Sequence, residues 1–284
     1  QAACLYIYRQ KRGQHIQTGL VACLSIDDYL NDVIKKHELT RADKEQDRTR
    51  HVDICDAQTG PIFVTYRSQE QIDSIISQWI ARQPALYDFV SEDGIGHTVW
   101  KIDQEEVINR LQQLFSPIDS LYIADGHHRS ASAVQVGLQR RADNPHHTGQ
   151  EEYNYFLAVL FPDHDPCIMG YNRLVRDLNN HTPQGFIELL KKDFEVEPYS
   201  GEGPYQPQAP KSFGMYLEGQ WYVLKARPGS YDADDPVARL DVSILQNNIL
   251  GPILGITNPR TDKRIDFVGG ARGLSELEKR VAQD

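Results

Sequence analysis

No apolar run in this 284-residue chain approaches the roughly 20 residues needed to cross a bilayer. The longest, such as Tyr155–Phe161, have strand length, so the sequence offers no membrane span. Cysteine is scarce: Cys4, Cys23, Cys55 and Cys167 are far apart and none forms a Cys-x-x-Cys pair. That spacing excludes a disulfide scaffold and a structural zinc site, and fits the reduced thiols of a cytoplasmic protein. An excess of basic charge is also missing. Thirty Lys and Arg against forty Asp and Glu leave a net charge of -10, which argues against a surface that coats DNA but leaves room for a local basic pocket. There is no signal-peptide pattern, no repeat and no low-complexity tract. The chain starts at Gln1 and runs almost at once into Leu5-Tyr6-Ile7-Tyr8, an abrupt opening that reads as a truncated edge.

The chain does contain a balance of 40% hydrophobic and 25% charged residues, which is that of a globular protein, at a length that suits one large domain or two ordinary ones. Leu5–Gln10 and His15–Ser25 alternate as strands about a turn at Lys11-Arg12-Gly13. Ser25 or Asp27 caps an expected helix to about Lys36, with Tyr29, Leu30, Val33 and Ile34 on one face. Thr40 caps a second, polar helix over Arg41–Val52. Further strands are expected at Ile62–Tyr66, His97–Ile102, Leu121–Ala124, Tyr155–Leu160, Ile168–Tyr171 and Ile265–Val268. A hairpin is expected about Glu218-Gly219. Helices are expected from Ser68, from Asp103 to about Phe115, over Pro183–Lys192 and Asp241–Leu250, and from Gly273 to Val281. Strands and helices mixed in this order predict an α+β fold with one mixed sheet and flanking helices. Gly203–Pro210, with three prolines, reads as a linker or mobile loop. The expected division is a core over 1–198 and a smaller α+β segment over 199–284.

Leu121-Tyr122-Ile123-Ala124 leads directly into Asp125-Gly126-His127-His128-Arg129 and then the small residues Ser130-Ala131-Ser132-Ala133. A strand, a glycine turn and a helix over about His128 to Arg141 make an anion site, because the first helical N–H groups are unpaired and the dipole end is positive. Gly126 allows close backbone approach, and Arg129 can grip a phosphate with two donors. His127 and His128 add donors, while Asp125 can hold a nucleotide-borne Mg²⁺ or orient a histidine. The bland alternative is a polar turn whose histidines bond locally.

The run Asp125–Arg129 followed by small residues resembles the phosphate-binding turn of the ParB/sulfiredoxin superfamily, and within it the free-serine kinases. Over nearly its whole length the chain also resembles a bacterial domain family of unknown function. This second likeness rests on Gln17-Thr18-Gly19-Leu20-Val21-Ala22-Cys23, Ile34-Lys35-Lys36-His37-Glu38, Thr59-Gly60-Pro61-Ile62-Phe63 and Asp266-Phe267-Val268-Gly269-Gly270. The kinase likeness implies a ParB/sulfiredoxin-like core around 121–141, ATP with Mg²⁺, and phosphoryl transfer to a small hydroxyl-bearing metabolite such as free L-serine. It also implies a catalytic glutamate upstream of the turn, for which Glu38 stands among basic residues. Glu38 would take the hydroxyl proton, with Asp125 next in line and His128 beside it. The family's chains have more sequence at both ends, which implies that parts of the fold are missing here.

Arg41, Lys44 and Arg48, at i, i+3 and i+7, can reach phosphate oxygens from one helix face or simply form a solvated surface. Phe267-Val268-Gly269-Gly270-Ala271-Arg272-Gly273 repeats the strand, glycine and helix pattern and can cradle a second anion, or its glycines can serve tight packing. Arg173, after a strand, can bind a substrate carboxylate or a surface acid. His146-His147 reads as an exposed loop. Two other classes remain open: a ParB-like nucleotide-binding or nucleotide-hydrolysing protein that engages DNA, and a phosphate-binding module without kinase activity. The first calls for a basic helix-turn-helix, which the sequence does not display. The expected partners are therefore a nucleotide and a small-molecule substrate, without nucleic acid or membrane.

Overall fold

The computed structural model describes residues 4–37, 42–166, 169–259 and 261–283, with only the backbone of 42–44 and 271. The chain forms two compact units, Gln1–Cys167 and Ile168–Asp284. Both are α+β, and the first contains the large mixed sheet.

The first unit runs β1 (Leu5–Arg12), β2 (His15–Ser25), α1 (Ile26–Leu30), β3 (Ile34–Lys35), α2 (Ala42–Cys55), β4 (Ile62–Tyr66) and α3 (Glu70–Arg82). It continues through β5 (Tyr87–Val90), β6 (Gly96–Ile102), α4 (Glu105–Phe115), β7 (Leu121–Asp125), α5 (His127–Asp143) and β8 (Tyr155–Pro162). Its eight strands lie in the order β3-β7-β4-β8-β2-β1-β6-β5. Direct register partners carry one buried row across six of them: Trp100, Ile7, Leu20, Leu160, Val64 and Ile123. The period-2 alternation of each strand puts these residues on one face. There they join Ile72, Ile76 and Trp79 of α3, Ile108 and Leu111 of α4, and Ala133 and Val134 of α5 in a continuous core. At roughly 1.5–3 kcal/mol per fully buried large apolar side chain, this layer is the main source of the unit's stability.

The helix expected to reach Lys36 stops at Leu30. Ser25 caps it as foreseen, its Oγ accepting from the Asp27 N–H at 3.1 Å. Asp32 then turns into the left-handed region at φ 58°, and Ile34 pairs with Leu121 as a buried edge strand. Burying Ile34 in the sheet outweighs continuing a helix whose Leu30 stays exposed. Two short strands escaped the sequence reading. Tyr87–Val90 is exposed along its length at the sheet edge, and Phe194–Pro198 precedes the proline-rich stretch.

The second unit comprises β9 (Tyr171–Val175), α6 (Pro183–Leu190), β10 (Phe194–Pro198), β11 (Ser212–Leu217), β12 (Gln220–Ala226), α7 (Asp241–Leu245), β13 (Ile265–Gly269) and α8 (Ser275–Gln283). A π-helical turn, Gln246–Leu250, extends α7. The division falls at 167/168 instead of the expected 198/199, because β10 pairs with β12 in the sheet β10-β12-β11. Gly203–Pro210 is accordingly a connection inside one unit. It is pinned by Tyr205, which packs with Trp221, Val268 and Leu277 and shares a hydrogen bond of 3.1 Å with Ser212. The strand expected at Ile168–Tyr171 instead starts at Tyr171, and Ile168 lies outside the described residues. The hairpin about Glu218-Gly219 forms as expected, with φ 49° and 79° at its two turn residues, the left-handed pair that a tight hairpin needs.

Candidate functional site

The residues 125–129 join the carboxyl end of β7 to the first turn of α5. Gly126 makes the junction, with φ 100° and ψ 26°, a conformation that costs any other residue strain. A bulge near the end of β7 redirects the strand: Val64 pairs with Ile123 but Phe63 pairs with Asp125, leaving Ala124 as the extra residue. Asp125 points into solvent, and its Oδ2 accepts from Arg129 Nη2 at 2.6 Å.

The guanidinium of Arg129 lies between two glycines. A methyl group built on Gly126 would sit 3.1–3.4 Å from its Nη2, Nε and Cζ, and one built on Gly60 would sit 3.1 Å from Nη1. Gly60 arrives there because β4 is antiparallel to β7, so the loop before β4 borders the end of β7. Arg129 is 36% exposed and Asp125 77%, so their pair is one that solvent screens and an incoming anion can replace.

The two histidines differ in their surroundings. His127 is buried, and its Nε2 accepts the His37 N–H in a long contact of 3.4 Å while the two rings meet edge to face at 4.3 Å. Ser130 Oγ donates to the His127 carbonyl at 3.0 Å. These contacts make His127 a tie between β3 and α5 in place of the open phosphate donor expected. His128 is half-buried, with an Nδ1 that is fully buried and has no hydrogen-bond partner among the described residues. Its carbonyl takes the Ser132 hydroxyl at 2.7 Å.

Helix α2 runs parallel to α5. Ser132 Oγ donates to the Glu45 carbonyl at 3.1 Å, and eight residues further along both helices Arg140 pairs with Asp53. The small residues Ala131, Ser132 and Ala133 are buried between neighbours, which permits this close approach. Parallel packing sets the N-terminal ends of α2 and α5 side by side, so two positive dipole ends share one edge of the unit. Lys36-His37 follows β3, which is parallel to β7, and so reaches the same edge. Glu38 and Arg41 lie outside the described residues, as does the side chain of Lys44, while Arg48 is exposed on α2. His37 and Gly60 were not among the residues singled out from the sequence as site groups. The glycine before the apolar run Ile62–Tyr66 was visible, but its place depends on the strand order.

No group of three or more His, Cys, Asp or Glu among the described residues could hold a metal ion. Asp125 alone suits only a Mg²⁺ that arrives with phosphates. A cleft of about 540 Å³ lined by Glu45, Thr49, Asp53 and Gln135 lies further along α2 and α5 and includes none of 125–129.

In the second unit, the expected cradle at Gly269-Gly270 takes a different form. A methyl group on Gly270 would lie 2.6 Å from the Gly170 carbonyl oxygen and 3.0 Å from its nitrogen. Only a three-residue 3-10 turn follows, and α8 begins at Ser275. Gly270 serves close packing against the chain entering β9, whereas a methyl group on Gly269 would meet nothing within 4 Å. Arg173 is paired across the strands with Phe267, and its guanidinium lies 5.3 Å from the Tyr171 ring and 5.5 Å from that of Phe267. It also donates to the Tyr171 carbonyl. Burial holds its pKa below the usual guanidinium value. His146-His147 lies in an exposed loop as expected, where His147 Nδ1 lies 3.0 Å from both the Tyr153 hydroxyl and the Glu151 carboxylate.

The fold and this junction define an α+β protein whose large mixed sheet ends in a strand–glycine–helix turn with an arginine in its first helical turn. A family model described as "Protein of unknown function (DUF1015)" matches residues 1–243, and the chain belongs to that family. No curated protein matches it, and no solved structure does. No helix among the described residues is long and apolar enough to cross a membrane.

Proposed function

We propose that this chain is an ATP-dependent, cytoplasmic phosphotransferase with a ParB/sulfiredoxin-like core, acting on a small hydroxyl-bearing metabolite, with free L-serine as the leading acceptor. The observation that carries the reading is the Arg129 guanidinium, held between Gly60 and Gly126 at the start of α5 and paired with an exposed, replaceable Asp125. The residues fit an anionic phosphate: a two-pronged donor, a glycine that lets phosphate near the backbone, and helix N–H groups.

ATP supplies the phosphoryl group, and its Mg²⁺ offsets the phosphate charge. Arg129 orients phosphate oxygens, and Asp125, once released, is the carboxylate that would meet the nucleotide's Mg²⁺. Glu38 is assigned as the base: it takes the acceptor's hydroxyl proton as that oxygen bonds to the γ-phosphorus and the bond to the β-phosphate oxygen breaks, releasing ADP. What supports Glu38 is its neighbour in the chain, because the backbone N–H of His37 already meets His127. Arg41, Lys44 and Arg48 are assigned as accessory cations, the last two from α2.

The test incubates the protein with ATP, Mg²⁺ and an amino-acid panel and scores phosphorylated product. O-phosphoserine is the expected product. Nucleotide binding without product on any acceptor would reject the kinase and leave a nucleotide-hydrolysing protein or a phosphate-binding module.

A further inference from the structure

We infer that Gly60 is a positioning residue of the anion site: with Gly126 it forms a slot free of side chains that fixes the plane of the Arg129 guanidinium. The inference rests on the phosphate reading above and adds a residue from a separate strand connection. Three observations carry it.

First, the two glycines meet different parts of the same group. Gly126 faces Nε, Cζ and Nη2, and Gly60 faces Nη1, so together they limit the guanidinium from two sides. Second, the contacts are tight. A Cβ on either glycine would come within 3.1 Å of a guanidinium nitrogen, closer than ordinary van der Waals contact. Third, the cost at Gly60 falls on the arginine. Apart from the chain neighbours of Gly60, the only atoms among the described residues within 4 Å of such a Cβ are Nη1 and Cδ of Arg129, and Gly60 is not in the left-handed region, whereas Gly126 is. An alanine at 60 would therefore leave the backbone in place and push the guanidinium out of its plane. Pro61, with a fixed φ and no N–H, stiffens the loop just before β4 begins at Ile62. A planar fork needs its plane fixed to grip phosphate with two donors, and a lysine ammonium does not.

The experiment is a double-mutant cycle on the full chain, titrating Mg²⁺-ATP into wild type, Gly60→Ala, Arg129→Lys and the double variant, with thermal unfolding of each. Gly60→Ala should unfold at the wild-type temperature and bind ATP roughly tenfold more weakly, the loss of about one charged hydrogen bond. In the Arg129→Lys background the same change should have no further effect. Unchanged affinity in Gly60→Ala, with Arg129→Lys weakened, would overturn the slot and leave the phosphate reading standing. Equal losses in both backgrounds would also overturn it, because the loop would then act without Arg129. An Arg129→Lys variant that binds like wild type would also overturn the slot, because a lysine holds phosphate as a point charge without a fixed plane; loss of binding in Arg129→Ala would then keep the phosphate reading, and wild-type binding there would overturn it.

Discussion

At the end of β7, Gly126 takes φ 100° and its missing side chain makes room for the guanidinium of Arg129. At the end of β13, Gly270 makes room for the backbone of Gly170. Both sites read alike in sequence, as a β-rich run, glycine, then a helix. In the first, the helix starts at once and is 17 residues long, so its unpaired N–H groups and dipole face the turn. In the second, a 3-10 turn and Gly273, at φ 77°, intervene before α8. A glycine that clears space for a charged side chain serves binding, and one that clears space for backbone serves packing. Composition alone does not tell the two apart.

This contrast can be tested from its largest expected consequence to its smallest. Glu38→Gln should lower turnover by about a hundred- to ten-thousandfold while ATP affinity is retained, as for loss of a general base. Steady-state kinetics with a parallel binding titration checks it, and unchanged turnover would pass the role to Asp125. Gly270→Ala should destabilise the second unit by roughly 1–3 kcal/mol, because its Cβ meets backbone that cannot move aside. ATP affinity should not change, and a weakened affinity with normal stability would return this turn to the list of anion sites. Gly126→Ala should cost about 1–2 kcal/mol of stability from its left-handed φ, and should weaken ATP binding as well. A loss in stability alone would make the two glycines equivalent. Asp125→Asn should tighten binding of inorganic phosphate only a few-fold, since an exposed ion pair holds about 0.2–1 kcal/mol. Weaker phosphate binding in that variant would contradict the idea that the carboxylate occupies the arginine until an anion arrives.

Much of the first junction was legible because its signals are local. Leu121-Tyr122-Ile123 is a β-rich run, Gly126 is a lone breaker, and Ser130–Ala133 are small residues that only close packing explains. The hairpin at Glu218-Gly219 and the amphipathic helix through Ile72, Ile76 and Trp79 were legible for the same reason. Features that depend on partners distant in sequence were not. Ile34 leaves the helical pattern because Leu121 pairs with it, and Gly60 joins Arg129 because β4 lies beside β7. The proline-rich stretch suggested a boundary, yet β10 and β12 pair across it. Tyr87–Val90 gave little signal because it is only four residues long. Phe194–Pro198 does alternate, Phe-Glu-Val-Glu, and a stricter search for period-2 patterns would find it.

The central claim is that Arg129 is a phosphate clamp on a stable scaffold, and the most direct measurement is a calorimetric titration of Mg²⁺-ATP into wild type and Arg129→Ala. The variant should bind about 1.5–3 kcal/mol more weakly, roughly ten- to a hundredfold, with little change in its unfolding temperature because the pair it loses is exposed. Equal affinity in the two proteins would contradict the claim.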